Sequence, residues 1–382
     1  MELYRPLGRY DGGMPRLLVD LLQSTGTKGG IEVYARELYM ALGDIDSDFE
    51  FIGFASRELA AADHSWFPGE VVDSGISGEN RLTWAVGELF AASRAARRLG
   101  VDLIHGPAMF GPLRSSVPVV ISVHDLLYFS HPELMQNKLF TGPVKWMEKR
   151  GAANATRLIT ISEYSASAIR RYLKFPGDRI DVIPLAARTR AKPGSQLHDR
   201  RSNLFLAMGQ RSPYKNFETI VRAWAELAPH ERPEIVITGG QGNDPLAPLV
   251  RELGLEDTVT LKAWVSSEEL GELLATATAL IDSTLATGFS LPTLEAMNGG
   301  LPVLLADTEV FREVGGDAAD YFAPGDPASL AAAVRSLSGD RARQSELTER
   351  GLKRAAQFSW ESVAIQTLAS FEEALAEGRA RR

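Results

Sequence analysis

Two cations, Arg211 and Lys215, stand in the segment Gly209-Gln-Arg-Ser-Pro-Tyr-Lys-Asn216, directly after the apolar run Leu204–Met208. If that run is a buried strand, both side chains sit in the turn at its C-terminal end, where a doubly wound domain holds its ligands. Together they can clamp a diphosphate and neutralise charge developing on a leaving group; a solvated basic turn is the plainer alternative. A second candidate is the pair Gly29 and Gly30, between the apolar run Leu17–Leu22 and residues at helical spacing, Ile31, Val33, Tyr34, Leu38 and Leu42. Glycine between strand and helix lets backbone N–H groups approach an anion at the helix N-terminus, where the dipole adds attraction; it also serves a simple tight turn. His124 ends an apolar run and precedes Asp125. At a strand's C-terminal edge it either faces a ligand or is a satisfied core residue. Glu295 follows Pro292, a favourable first-turn residue, so its carboxylate lies early in a short helix. His64, His105, His131, His198 and His230 are scattered and form no metal cluster, although His105 adjoins Gly106 in a second candidate ligand loop. Asp44 and Asp46 superficially resemble a metal-binding acidic motif and read as a solvated turn.

The elements that must position these residues alternate. Strands are expected at Leu17–Leu22, Phe49–Phe54, Leu103–His105, Val117–Val123, Arg157–Ile161 and Ile180–Ile183, then at Leu204–Met208, Glu234–Thr238, Val259–Lys262, Ala279–Asp282 and Pro302–Ala306. Several are continuous apolar runs, as strands buried on both faces of a parallel sheet should be. The reading is α/β: two doubly wound Rossmann-like domains facing a central cleft, a natural place for a ligand. Residues 1–13 form a leader, 14–190 the first domain, 191–202 a linker in a stretch rich in Arg, Lys, Pro and Gly, 203–358 the second domain, and 359–382 a closing helix packing back towards the first.

The chain has 382 residues, 41 basic against 49 acidic for a net charge of −8, and no cysteine. Its length suits two domains, each with its own core. Without cysteine there is no disulfide framework, zinc–thiolate site, iron–sulfur ligand or thiol nucleophile. The acidic balance argues against a protein that coats nucleic acid. No apolar run approaches membrane-spanning length, and the first residues lack the apolar core of a signal peptide. The expectation is a cytoplasmic protein.

The run Asp282-Ser-Thr-Leu-Ala-Thr-Gly-Phe-Ser-Leu-Pro-Thr-Leu-Glu-Ala-Met-Asn-Gly-Gly-Leu-Pro-Val303 resembles the signature of the retaining family 4 glycosyltransferases, whose two Rossmann-like domains form the GT-B arrangement. The resemblance covers most of the chain. It includes Gly29-Gly-Ile-Glu-Val-Tyr-Ala-Arg-Glu-Leu38, Val123-His-Asp-Leu-Leu-Tyr-Phe-Ser-His-Pro-Glu133 and Thr160-Ile-Ser-Glu-Tyr-Ser165, then the Arg211–Lys215 segment and Phe311-Arg-Glu-Val-Gly-Gly-Asp-Ala-Ala319. It implies that Gly29 and Gly30 lie against the donor diphosphate and the acceptor, that Lys215 binds phosphate, and that His124 faces the donor sugar. It implies that Glu295 binds the ribose hydroxyls, with the N–H groups of Ser290, Leu291 and Thr293 meeting the donor phosphate or sugar. Gly209, Gly288 and Phe289 complete the expected donor site. The family's arginine often falls at Gln210, so Arg211 serves with a shifted reach or points elsewhere. The donor is a nucleoside diphosphate sugar and the acceptor a glycan or a lipid-linked glycan. No metal or cofactor is implied. The histidine segment, Pro213 and Lys215-Asn216 look closest to bacterial polysaccharide mannosyltransferases.

The pattern breaks at Thr287, eight residues before Glu295, where the family usually has a glutamate. A different donor sugar, a carboxylate from elsewhere, or binding without efficient turnover are the open explanations. Pro184-Leu-Ala186 is a further departure, where many relatives have Asn-Gly. Rival readings are a sugar-nucleotide epimerase or hydrolase on the same fold, and a non-catalytic sugar-nucleotide-binding protein. Lys138–Arg150, with Phe140, Lys145, Trp146 and Lys149, reads either as a basic amphipathic patch at the inner face of the plasma membrane or as a solvated helix packing Trp146 on the core.

Overall fold

The computed structural model describes residues 13–26, 29–135, 138–188 and 203–380. The expected linker, all of the expected leader but Gly13, and His198 lie outside them. The chain divides into two compact units, one of Met1–Ser130, Leu139–Leu185 and Ser359–Arg382, the other of His131–Lys138 and Ala186–Phe358.

The first unit carries strands β1 (Arg16–Leu21), β2 (Glu50–Ala55), β3 (Glu70–Asp73), β4 (Leu103–Gly106), β5 (Val119–Val123), β6 (Arg157–Thr160) and β7 (Ile180–Val182). They form a seven-stranded sheet in the order β3-β2-β1-β4-β5-β6-β7. Every pairing is parallel. The order reverses between β1 and β4, which opens a crevice beyond their C-terminal ends. β1 and β5 are apolar almost throughout and almost wholly buried, because helices cover both faces of the sheet. Helix Gly30–Gly43 buries Tyr34, Ala35, Leu38, Tyr39 and Leu42, the one-face spacing that its sequence displays.

The closing helix Trp360–Ala380 belongs to this first unit. Phe371 packs edge-on against Phe49 and His105, with ring centroids 5.9 and 5.0 Å apart. Arg157, buried on β6, pairs with Asp181 at 2.7 Å and with Glu373 and Glu377 of the helix at 2.8 Å each.

The second unit repeats the scheme with β8 (Leu204–Met208), β9 (Glu234–Gly240), β10 (Val259–Ala263), β11 (Ala279–Asp282), β12 (Val303–Ala306) and β13 (Asp320–Phe322). The order is β10-β9-β8-β11-β12-β13, again parallel and reversing between β8 and β11. Helix Phe217–Glu226 buries Phe217, Ile220, Val221 and Trp224, and the indole N–H of Trp224 donates to the Pro233 carbonyl at 2.7 Å. β3 and β13 are the two strands not expected from sequence. Both are short edge strands, and β3 is only half covered, so neither has a continuous apolar run to announce it.

Candidate functional site

In the second unit, the turn after β8 is built by close backbone packing. Gly209 takes φ +137° and Gly239 φ +90°. A Cβ on Gly239 would stand 2.4 Å from the Gly209 carbonyl oxygen, so no side chain fits there. The chain then makes a single 3-10 turn, Pro213–Lys215, ended by Asn216 in a left-handed conformation (φ 52°). Two bonds dock this turn on the segment after β11: Ser283 Oγ donates to the Lys215 carbonyl at 2.8 Å, and Leu285 N–H to the Tyr214 carbonyl at 2.8 Å. The half-buried Lys215 side chain runs back over Gly209, its Cε 3.4 Å from where a Cβ would stand. Its ammonium makes no ion pair or hydrogen bond among the described residues.

Arg211 has a different place from the one its sequence position invites. Nε donates to both Asp244 carboxylate oxygens at 3.1 and 2.9 Å, and a terminal nitrogen reaches Asp244 at 2.8 Å. The remaining donors go to the carbonyls of Gly209 (3.1 Å), Thr238 (2.7 Å) and Ile237 (3.0 Å). A guanidinium has five N–H donors, and all five are thereby engaged. The side chain is only 7% exposed and lies over the Phe217 ring. Arg211 therefore ties the ends of β8 and β9 together, and the expectation that it grips a phosphate is corrected: no N–H remains to do so.

The glutamate expected to bind ribose lies on helix Leu291–Asn298, capped by Ser290, whose Oγ accepts from Thr293 N–H at 3.3 Å. Thr293 N–H is thus taken by the cap. The N–H groups of Ser290 and Leu291 meet no acceptor among the described residues and carry the positive end of the helix dipole. Asp282, at the end of β11, braces this terminus by accepting from Ser290 Oγ at 2.9 Å and from Thr284 N–H at 3.2 Å. Glu295 is 5% exposed, and its Oε1 accepts from Arg188 Nε at 2.6 Å. Oε2 has no partner among the described residues. Arg188 falls at the end of the expected first domain, three residues before the expected linker, with no motif to single it out. Thr287 turns its hydroxyl back to donate to the Phe289 carbonyl at 2.6 Å. Phe289 packs edge-on against Phe358 at 6.2 Å, and Gly288 is buried beside it.

In the first unit, Gly29 and Gly30 open helix Gly30–Gly43. Neither takes a left-handed φ, and a Cβ built on either meets no atom within 4 Å. Packing within the protein therefore does not demand glycine at either position. The loop's near end is held by Thr25 N–H donating to Glu32 at 2.9 Å.

His124 lies one residue beyond β5. Its Nε2–H donates to the Pro107 carbonyl at 3.0 Å, which makes Nδ1 an acceptor in the neutral ring. The ring meets Tyr34 edge-on, centroids 4.6 Å apart. Burial pushes its pKa down to about 4, so it is neutral at physiological pH. His105 is a core residue, not a loop residue: wholly buried in β4, it bonds the Tyr39 hydroxyl at 2.6 Å through Nδ1 and Ser122 Oγ at 3.0 Å through Nε2. Burial, and then the neighbouring His124, push it down to about 3.

Sequence reasoning missed two groups of buried carboxyls here. Glu148, on helix Thr141–Asn154, has neither carboxyl oxygen partnered, and burial followed by the charge of Asp125 pushes its pKa up to about 8. Asp20, on β1, is pushed up to about 7 by burial. Glu88 is raised by burial and then by Asp20, and it accepts from Gln23 at 2.7 Å. Nothing but the tertiary packing marks them. Asp44 and Asp46 are exposed, and among the described residues no cluster of His, Asp and Glu could hold a metal.

Leu139 (88%), Trp146 (46%) and Phe140 (40%) are exposed on the first unit. Lys145 and Lys149, on the same segment, lie over the Phe129 ring; the Lys138 side chain lies outside the described residues. Among the described residues no helix is long and apolar enough to cross a membrane.

Two doubly wound units, the second with an open lysine and a helix N-terminus at its switch point, define a glycosyltransferase of the GT-B fold. Residues 189–354 match the model for glycosyl transferases group 1, and residues 28–190 the model for glycosyltransferase family 4. The chain is 30% identical over 342 residues to the MMP alpha-(1->4)-mannosyltransferase of Mycolicibacterium hassiacum, covering 81% of each protein. It is 30% identical over 289 residues to the O-antigen chain mannosyltransferase B of Escherichia coli, covering 71% of this chain and 74% of that one. Among solved structures, a sucrose-phosphate synthase from Thermosynechococcus elongatus superposes with a TM-score of 0.77 at 19% identity, over 95% of this chain and 100% of that one. The chain belongs to the group 1 glycosyl transferases of family 4.

Proposed function

We propose that this glycosyltransferase moves a hexose, mannose above others, from a nucleoside diphosphate sugar to an acceptor hydroxyl of a glycan or lipid-linked glycan, with retention at the anomeric carbon. The observation that carries the reading is the anion-ready end of the second unit. There the Lys215 ammonium, without a partner among the described residues, runs over Gly209 in a turn docked on the segment after β11, and the helix beyond that segment opens with N–H groups at Ser290 and Leu291 that meet no acceptor among the described residues. These groups supply the positive field that a departing diphosphate needs, so the chemistry is assigned to lysine and helix dipole without a metal. Glu295, on the same helix, takes the ribose hydroxyls; separately, in the first unit, the backbone at Gly29 and Gly30 is open to an anion or an acceptor.

No residue described here is singled out by the sequence as a covalent nucleophile, which suits front-face departure of the diphosphate, with the leaving phosphate assisting deprotonation of the acceptor. In the first unit, His124 is neutral and held by Pro107, and the family resemblance assigns it to the donor sugar. Thr287 offers hydroxyl lone pairs where a carboxylate is usual, so the donor's hydroxyl pattern is where this chain departs from its relatives. The names of the relatives from Mycolicibacterium hassiacum and Escherichia coli support mannose as the sugar and a surface polysaccharide or glycoconjugate as the setting.

Incubation with a panel of UDP-, GDP-, ADP- and dTDP-sugars, with and without glycan acceptors, tests the reading. Acceptor-dependent nucleotide release with an α-linked product from an α-linked donor is expected. Acceptor-independent turnover would replace transfer by hydrolysis or epimerisation, and thermal stabilisation without turnover would leave a binding protein. The exposed Leu139, Phe140 and Trp146, with the lysines of that segment, fit peripheral attachment to an anionic bilayer. Co-sedimentation with phosphatidylglycerol vesicles that does not fall in a Leu139→Ser, Trp146→Ser double variant would remove that attachment.

A further inference from the structure

The buried carboxylate of Glu295 poses an electrostatic problem that Arg188 resolves. Leu291 and Glu295 are four residues apart on one helix, about 6 Å along its axis. If the open N–H groups of Ser290 and Leu291 hold a phosphate, the carboxylate lies at the distance of the sugar next to that phosphate. A carboxylate is an acceptor only, so the neighbouring group it can recognise is a hydroxyl donor, and the vicinal 2′,3′-diol of ribose is such a group. The same carboxylate, 5% exposed, would repel the diphosphate across a short stretch of low dielectric if nothing neutralised it.

The only cation paired with it among the described residues is Arg188, itself 17% exposed, with Nε on Oε1 at 2.6 Å and Oε2 left for a ligand. One N–H of a planar guanidinium, held on Oε1, directs the carboxylate more narrowly than the freely rotating donors of a lysine ammonium.

We propose that Arg188 is a positioning residue of the nucleotide site, holding the Glu295 carboxylate in the orientation that accepts the ribose hydroxyls and offsetting its charge beside the diphosphate. The proposal rests on the assignment of Glu295 to ribose made above. Arg188 touches neither the reacting carbon nor the leaving oxygen; it acts through Glu295. Its signature is therefore discrimination between ribose and 2′-deoxyribose, which a purely structural ion pair would not set.

The test is calorimetric titration of GDP, UDP and their 2′-deoxy forms into the full chain and into its Arg188→Gln, Arg188→Lys, Glu295→Gln and double Gln variants, with the thermal midpoint of each recorded. For whichever ribonucleotide the parent protein binds more tightly, the 2′-deoxy form should bind about tenfold or more weakly, the effect of losing one hydrogen bond to a charged group. Arg188→Gln should reduce that ratio to about threefold or less, and combining it with Glu295→Gln should add little, because both act on one contact. Arg188→Lys, which keeps charge and folding but not the Nε contact, should fall between. Wild-type discrimination in the Arg188 variants alongside its loss in Glu295→Gln overturns the proposal and leaves the ribose assignment standing. Undiminished discrimination in Glu295→Gln, or no binding of either nucleotide by the parent, removes both. If Arg188→Gln does not fold, the Arg188→Lys ratio decides by the same criterion.

Discussion

Replacing Arg211 by methionine should destabilise the second unit while leaving nucleotide affinity within about twofold in the fraction that stays folded. Methionine keeps most of the aliphatic stem over Phe217 and removes the guanidinium. What is left behind can be counted: Asp244 loses its pairing, and the carbonyls of Gly209, Ile237 and Thr238 each lose a donor. Asp244 keeps the Leu246 N–H at 3.0 Å and is 13% exposed, so water relieves part of its loss. The buried carbonyls add about 0.5–1 kcal/mol each and the broken charge pair about 1.5–3, which places the total near 3–6 kcal/mol. For a unit of roughly 180 residues this corresponds to a fall in thermal midpoint of about 8–16 °C. Scanning calorimetry or urea unfolding, followed by titration of GDP and UDP below the shifted midpoint, measures both quantities. An unchanged midpoint with a tenfold or greater loss of nucleotide affinity would refute the reasoning, because it would mean that Arg211 leaves Asp244 to meet the diphosphate.

Lys215→Ala should weaken nucleoside diphosphate binding or slow transfer by about 1.5–3 kcal/mol, roughly 10- to 150-fold, with little effect on stability, since its ammonium has no partner among the described residues. Unaltered titration and turnover would remove it from the site. Glu148 is expected to work against the fold at alkaline pH. The native state keeps a proton up to about pH 8 that the unfolded chain releases near 4.5, so stability falls as pH rises through that window and levels off above it. At 1.36 kcal/mol per unit the bound is about 5 kcal/mol; Glu148→Gln should raise stability by about 1–3 kcal/mol at pH 8 and by nothing at pH 4, measured by urea midpoints. His124 has the opposite sign: below pH 6.5 the unfolded chain takes up a proton that the native state refuses down to about 4, so stability falls as pH falls. His124→Asn should make the urea midpoint less steep between pH 6.5 and 4, by up to about 1.36 kcal/mol per unit; an equally steep profile would show that the ring titrates normally in the native protein.

The amino-acid sequence by itself determined the architecture of each unit and the placement of its ligand end. Short apolar runs such as Leu204–Met208, bounded by turn residues and followed by helical spacing, fit strands covered on both faces, which is why the positions of Lys215 and of the Leu291–Asn298 helix at strand ends were legible. Motif order added the family and singled out Glu295. The edge strands β3 and β13 were not legible, because a strand covered on one side only needs no apolar run.

The tertiary structure alone decided what each charged side chain is paired with. Arg211 and Lys215 lie four residues apart in one turn, yet Asp244, 33 residues beyond the arginine, takes it, and nothing among the described residues takes the lysine. Arg188 has no evident role in the sequence until Glu295, 107 residues away, is seen to accept from it. Nothing in the sequence marks Glu148 and Asp20 as carboxyls whose water is removed by packing. Local periodicity reports which face of an element is apolar. Hydrogen bonding and desolvation depend on neighbours brought together from distant parts of the chain, and those are known only once the fold is formed.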